Sequence, residues 1–178
     1  MTSGKRIFRH YLLLFAISLL VIVLDQWSKG LIRRNLALGE EIYPIPFLAP
    51  FFRFTYWQNT GAAFGMFQNA NILLLILAVI IAAAVIWYYH RAVDEPLLYR
   101  VSLGLILGGA LGNMIDRVQL GFVTDFVAVG RFPVFNVADS SVTVGVALIF
   151  LGLILQEHKE KETRQKDPML NPDGADEN

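Results

Sequence analysis

The chain has 178 residues, of which 55% are hydrophobic and 17% charged, where a soluble domain usually carries about a quarter charged residues. Its 15 basic residues are matched by 15 acidic ones, so no net basic charge favours nucleic acid, which is not expected as a partner. There is no Cys, which excludes disulfides, thiol catalysis and thiolate metal sites.

The apolar residues fall in four blocks, Tyr11–Leu24, Ile72–Tyr89, Val101–Ile115 and Val137–Leu155. A membrane-spanning helix needs about 20 mostly apolar residues, so each block, with its polar flank, reads as one span. The predicted fold is an all-α membrane protein, a four-transmembrane-helix bundle with a small extracytoplasmic β-sheet element. Residues 1–155 form a single integral membrane domain with no room for a separate soluble one. Asp25-Gln26-Trp27-Ser28-Lys29 follows the first block without an Ala-x-Ala-like cleavage site, so that block reads as a retained helix rather than a secretory signal. Asp25 and Lys29 stand at i and i+4 and face each other as an ion pair.

The segment 33–70 is long for a loop, which points to function, and Pro44, Pro46 and Pro50 argue against helix there. Phe51-Phe-Arg-Phe-Thr-Tyr-Trp57 is rich in strand formers, with Phe52, Phe54 and Tyr56 on one face and Arg53 and Thr55 on the other. It reads as a sheet resting on the membrane, its aromatic face toward lipid or substrate. Asn59-Thr-Gly-Ala-Ala-Phe-Gly65 is either a loop whose glycines admit a ligand to the backbone or an ordinary turn. Asn71 is the expected N-cap of the second span. Gly104, Gly108 and Gly112 make a close-packing stripe on the third, which ends in Asn113, Asp116 and Arg117. Arg117 is either a forked donor to a carboxylate or substrate carbonyl or a side chain snorkelling to headgroups. The tail, 156–178, is charged, contains Pro168, Pro172 and Gly174, and reads as cytoplasmic, solvated and disordered.

Orientation follows Lys and Arg. With both termini inside, the cytoplasmic side holds nine basic residues (Lys5, Arg6, Arg9, Arg91, Arg100, Lys159, Lys161, Arg164, Lys166) and the outer side six (Lys29, Arg33, Arg34, Arg53, Arg117, Arg131). Trp87, Tyr88 and Tyr89 suit an inner aromatic belt. This topology sends the ends of spans one and three and the starts of spans two and four to the outer surface. The unusual polar residues lie at those ends: Asp25 and Lys29, Asn59, Asn113 with Asp116 and Arg117, and Asn136 with Asp139.

Asp125 and Asp139 are the most informative of them, because a carboxylate near lipid is costly and marks a functional site by default. On one straight helix they would lie about 21 Å apart, but Gly130 and Pro133 break any helix between them and let the chain fold back. Two adjacent carboxyls share a proton and titrate as a unit, so one can activate water while the other polarises a carbonyl. The alternative is that each pairs with an arginine, Arg117 or Arg131. A small transporter is the rival from another class, but its polar residues would run through the bilayer, whereas these stop at one side. A membrane assembly factor would leave the Asp pair unexplained.

Taken in order from about residue 10 to 155, Asp25-Gln-Trp-Ser-Lys29, Asn59-Thr-Gly-Ala-Ala-Phe-Gly65, Gly108-Gly109-Ala-Leu-Gly-Asn113-Met-Ile-Asp116-Arg117, Val123-Thr-Asp125-Phe126 and Phe135-Asn136-Val-Ala-Asp139-Ser140 resemble bacterial signal peptidase II, the lipoprotein signal peptidase family. The resemblance implies an aspartyl endopeptidase that removes the signal peptide of a prolipoprotein, cutting just before its diacylglyceryl-modified cysteine. Asp125 and Asp139 would be the catalytic dyad. Asn59, Gly109, Asn113, Arg117 and Asn136 would bind substrate or orient the dyad, with Asp25 and Lys29 as structural support. No metal and no organic cofactor is implied. The expected setting is the bacterial cytoplasmic (inner) membrane among phospholipid, as a monomer with its active site at the outer face.

Overall fold

The computed structural model describes residues 3–49, 51–61 and 71–166. Its main elements are α1 (Ser3–Asn35), β1 (Glu41–Ile42), β2 (Phe52–Asn59), α2 (Asn71–Tyr89), α3 (Leu97–Leu120), β3 (Val123–Val129) and α4 (Val137–Lys166). All four helices are long and apolar enough to cross a membrane, and the chain is a multi-pass membrane protein. Their outward faces carry Leu19, Leu20, Ile72, Ile80 and Phe150, all more than half exposed. Lipid rather than protein solvates those faces, because an all-round apolar helix has no other stable surroundings.

Helix α3 is the centre of the bundle. Half of its apolar window is buried, against 22%, 22% and 17% for α1, α2 and α4. Its glycines explain why. A Cβ on Gly104 or Gly108 would lie within 2.9 Å of α1 side-chain atoms of Ile17 and Val21 respectively, so only glycine lets these helices approach so closely. Ser18 Oγ donates to the Gly104 carbonyl across the same contact. At the end of the bundle away from the sheet, Leu14, Ala82, Val85, Tyr89, Leu103 and Leu107 form an apolar core. Gly121, at φ 81°, closes α3 by donating its N–H to the Arg117 carbonyl, the left-handed cap that glycine adopts without strain.

The three strands form an antiparallel sheet in the order β1-β2-β3. Strand β3 was not foreseen as such, although Val123-Thr-Asp-Phe-Val-Ala-Val129 lies between Gly121 and Gly130. Between β2 and β3 the register slips: Phe54 faces Val127, but Trp57 faces Asp125. The extra residue on β2 is a bulge, which reverses the facing of everything beyond it. Phe52 and Phe54 therefore share a face as expected, their rings 5.2 Å apart, but Tyr56 falls out of that alternation. The same slip puts Asn59 on the face of Asp125.

Past β3 the chain folds back as its Gly and Pro required. Gly130 takes φ 54°, and Phe135 returns to bridge Val127. Two other expectations need amendment. Asn71 opens α2, but its Oδ1 is buried with no hydrogen-bond partner among the described residues, so it does not act as a cap. Helix α4 runs past residue 155 to Lys166, where Lys161 pairs with Glu157 at i, i+4 and Gln156 bonds Glu160. The opposite-charge spacing sustains helix in solvent there. The rest of the tail, 167–178, lies outside the described residues.

Candidate active site

Asp125 is buried on β3. Its Oδ2 accepts Asn59 Nδ2 at 2.9 Å and its Oδ1 accepts Asn136 Nδ2 at 2.6 Å. Asp139 stands in the first turn of α4. Its Oδ1 accepts Asn113 Nδ2 at 2.7 Å and its Oδ2 accepts the Asn136 backbone N–H at 3.2 Å. The Asp139 N–H in turn donates to Asn136 Oδ1 at 3.0 Å. This reciprocal pair is a capping box, and it seats the Asp139 carboxylate where the helix dipole favours negative charge.

Asn136 thus touches both carboxyls, Asp125 with its side chain and Asp139 with its backbone. Its Nδ2 also meets Asn113 Oδ1 at 3.1 Å. The fold-back that pairs Phe135 with Val127 is what delivers Asn136 to this point. Burial pushes Asp125 up to about 7, the charge of Asp139 adds to that rise, and the amides of Asn59 and Asn136 and the charge of Lys29 only partly oppose it. Near neutrality, Asp125 therefore holds a proton much of the time.

Neither aspartate forms an ion pair among the described residues. The arginine-pairing alternative raised by the sequence is not what is built. Arg131 is exposed, and among the described residues Arg117 Nη1 donates to the Asn113 carbonyl, at 3.5 Å, and meets Asp139 and Asp125 through longer-range charge interaction rather than an ion pair.

The buried charges that do pair are linked to the aspartates through Asn113 and through the backbone beside them. Lys29, fully buried, is 2.8 Å from Asp25 Oδ2 and 3.3 Å from Asp116 Oδ2, and donates to Asn113 Oδ1 at 2.9 Å. Gln26 Nε2 bridges Asp25, Asp116 and the Gly112 carbonyl at 3.1 Å each. Arg33 reaches Asp116 at 3.6 Å and Thr124 Oγ1 at 2.9 Å. Both buried carboxylates also grip backbone: Asp25 Oδ1 accepts the Ala138 N–H at 3.0 Å and Asp116 Oδ2 the Thr124 N–H at 2.9 Å.

A model of the family described as Signal peptidase (SPase) II matches residues 17–155. The chain belongs to that family. Among its relatives, the lipoprotein signal peptidase of Enterococcus faecalis is 40% identical over 150 residues, covering 83% of this chain and 91% of that protein. That of Symbiobacterium thermophilum is 43% identical over 152 residues, covering 83% and 98%. A solved structure of a bacterial membrane enzyme at 2.3 Å resolution superposes with a TM-score of 0.73 at 33% identity, covering 94% of each chain.

The structure brings most of the peptidase's sequence-predicted site residues together. Asp125, Asp139, Asn59, Asn113 and Asn136 form one hydrogen-bonded group. Gly109 contributes by being small: a Cβ there would lie 2.4 Å from the Ala138 carbonyl oxygen and 2.7 Å from Val142, so it lets the first turn of α4 close on α3. Arg117 is half-buried beside the group. Asn59 Oδ1 accepts the Gly61 N–H, while Ala62 to Gly65 lie outside the described residues. Sequence reasoning did not single out Gln26, Arg33 and Thr124, and noted Asp116 without giving it a role. The stripe Asp25, Lys29, Arg33 at four-residue spacing was the available signal, since it presents three charges on one face of a membrane helix.

Proposed function

We propose that this chain is an aspartyl endopeptidase that removes the signal peptide from diacylglyceryl-modified prolipoproteins, cutting just before the lipidated cysteine, with Asp125 and Asp139 as its catalytic pair. The observation that carries the reading is two neighbouring carboxyls that form no ion pair among the described residues, linked through Asn136 and Asn113, in a chain of the signal peptidase II family.

Asp139, as the carboxylate, takes a proton from a water molecule whose oxygen attacks the scissile carbonyl carbon. Asp125 gives its proton to the carbonyl oxygen, which forms a tetrahedral diol. On collapse, Asp139 returns its proton to the leaving nitrogen, Asp125 recovers one from a diol hydroxyl, and the C–N bond breaks. Both groups end as they began, consistent with general acid–base use of a coupled pair. Arg117, with no carboxylate partner among the described residues, is the donor for a substrate carbonyl. Asn59, Asn113 and Asn136 hold the carboxyls in place. The enzyme works as a monomer in the cytoplasmic membrane, among phospholipids, with the dyad at the outer face where a signal peptide presents its cleavage site.

The test is conversion of a lipidated precursor by purified protein in detergent. Asp125→Asn and Asp139→Asn should each reduce turnover to background with normal insertion, since Asn can neither take nor share the proton. The double variant should be scarcely worse, as residues acting as one unit are non-additive. Substantial turnover by either single variant would overturn the assignment.

A further inference from the structure

We propose that Lys29 is a positioning residue that sets the geometry and charge of the dyad from behind, and this rests on the reading of Asp125 and Asp139 as the catalytic pair. An ammonium has three N–H donors, and Lys29 has three partners: Asp25, Asp116 and Asn113. By one further hydrogen bond Asn113 reaches Asp139 itself, and Asp25 and Asp116 each reach the residue that precedes one of the two aspartates.

Asp25 holds the N–H of Ala138, the residue immediately before Asp139. Asp116 holds the N–H of Thr124, the residue immediately before Asp125. Asn113 passes the polarisation to Asp139, accepting from Lys29 on Oδ1 and donating from Nδ2 at 2.7 Å. One buried cation on α1 therefore fixes the backbone in front of both aspartates, on two separate elements, and strengthens the amide that binds one of them. A helix-to-helix ion pair needed only for packing would require none of these further contacts.

The electrostatics can be followed by charge. Around Lys29 lie Asp25, Gln26 and Arg33 of α1 and Asn113 and Asp116 of α3. Around the dyad lie Asn59 of β2, Asn113 and Arg117 of α3, and Asn136 at the start of α4. Removing the positive charge of Lys29 disfavours ionisation of the pair. Removing the negative charge of Asp116 leaves Lys29 less compensated and favours ionisation.

The experiment uses full-length enzyme with a lipidated peptide substrate, measuring kcat and KM from pH 4 to 9. Lys29→Gln should lower kcat at least 100-fold with KM changed less than about threefold, and both limbs of the kcat profile should move to higher pH. Asp116→Asn keeps an acceptor for Thr124 and should move both limbs to lower pH. Opposite shifts from two variants of one network cannot come from general loosening. If Lys29→Gln does not fold, the Asp116→Asn profile alone decides, and unshifted limbs there overturn the proposal. Equally, folded Lys29→Gln with native limbs overturns it. Asp125→Asn and Asp139→Asn run alongside: if they are active, the dyad reading has failed. If they are inactive while the limbs stay put, only the role of Lys29 has failed.

Discussion

Asp125, the proposed acid of the pair, shows how a side chain placed for chemistry also carries a cost in stability. Its carboxyl is raised to about 7 by burial and by the charge of Asp139, against roughly 3.9 in an unfolded chain. A carboxyl that is more basic when folded than unfolded lends stability at low pH and withdraws it as pH rises toward its folded value. The native enzyme should thus lose thermal stability between about pH 4 and pH 7, and Asp125→Asn should flatten that dependence and melt higher than native above pH 7. Melting curves in detergent across that range would check it. Equal slopes for the two proteins would show that Asp125 is not held in this state. Activity follows the same group: turnover should fall as pH rises through about 7, with an apparent value that belongs to the pair rather than to one residue.

At the scale of elements, the site depends on how closely α4 can approach α3. Gly109 faces the Ala138 carbonyl at a distance no Cβ tolerates, whereas a Cβ on Gly30 of α1 would meet nothing within 4 Å. Gly109→Val should cost about 1–3 kcal/mol or more, as overpacking does, and should also lower kcat by displacing the turn that carries Asp139. Gly30→Ala should leave kcat unchanged and raise the melting temperature, since Ala in place of an open helical Gly is worth roughly 0.5–1 kcal/mol. A parallel melt and assay of the two variants would separate these outcomes. The elements also differ in how well the sequence foretold them. The four spans were readable because hydropathy over some 20 residues is a strong signal. Asp125 and Asp139 were readable because carboxylates near lipid are rare, and Gly130 and Pro133 gave the fold-back. Strand β3 was not, since seven residues of mixed character beside a helix end carry no such signal. The bulge in β2 was beyond reach for a different reason: it is set by pairing with β3, far away in sequence, so the alternation of Phe52, Phe54 and Tyr56 was correct only locally. Asp116 hid because its partners, Lys29 and the Thr124 N–H, come from two other elements.

For the whole molecule, the fully buried charged side chains among the described residues, Asp25, Lys29, Asp116 and Asp125, gather at one end of the bundle and an apolar core fills the other. Reporter fusions at Glu41 and Gln165 should report opposite compartments, the first outside and the second in the cytoplasm, as the Lys and Arg distribution requires. Identical compartments would contradict an even number of spans. Within this division of labour, α2 stands apart. It packs mainly on α3, touches α1 near Tyr11 and Tyr89, and supplies none of the side chains of the hydrogen-bonded group around Asp125 and Asp139. Its 19 residues span about 28 Å, close to the roughly 30 Å of a hydrocarbon core. In α2, fit to the bilayer is therefore free of the demands of the hydrogen-bonded group, whereas α1, α3 and α4 each answer to both. The lipid-facing residues of α2 can accordingly be exchanged for others of like hydropathy while the group around Asp125 and Asp139 is inherited unchanged.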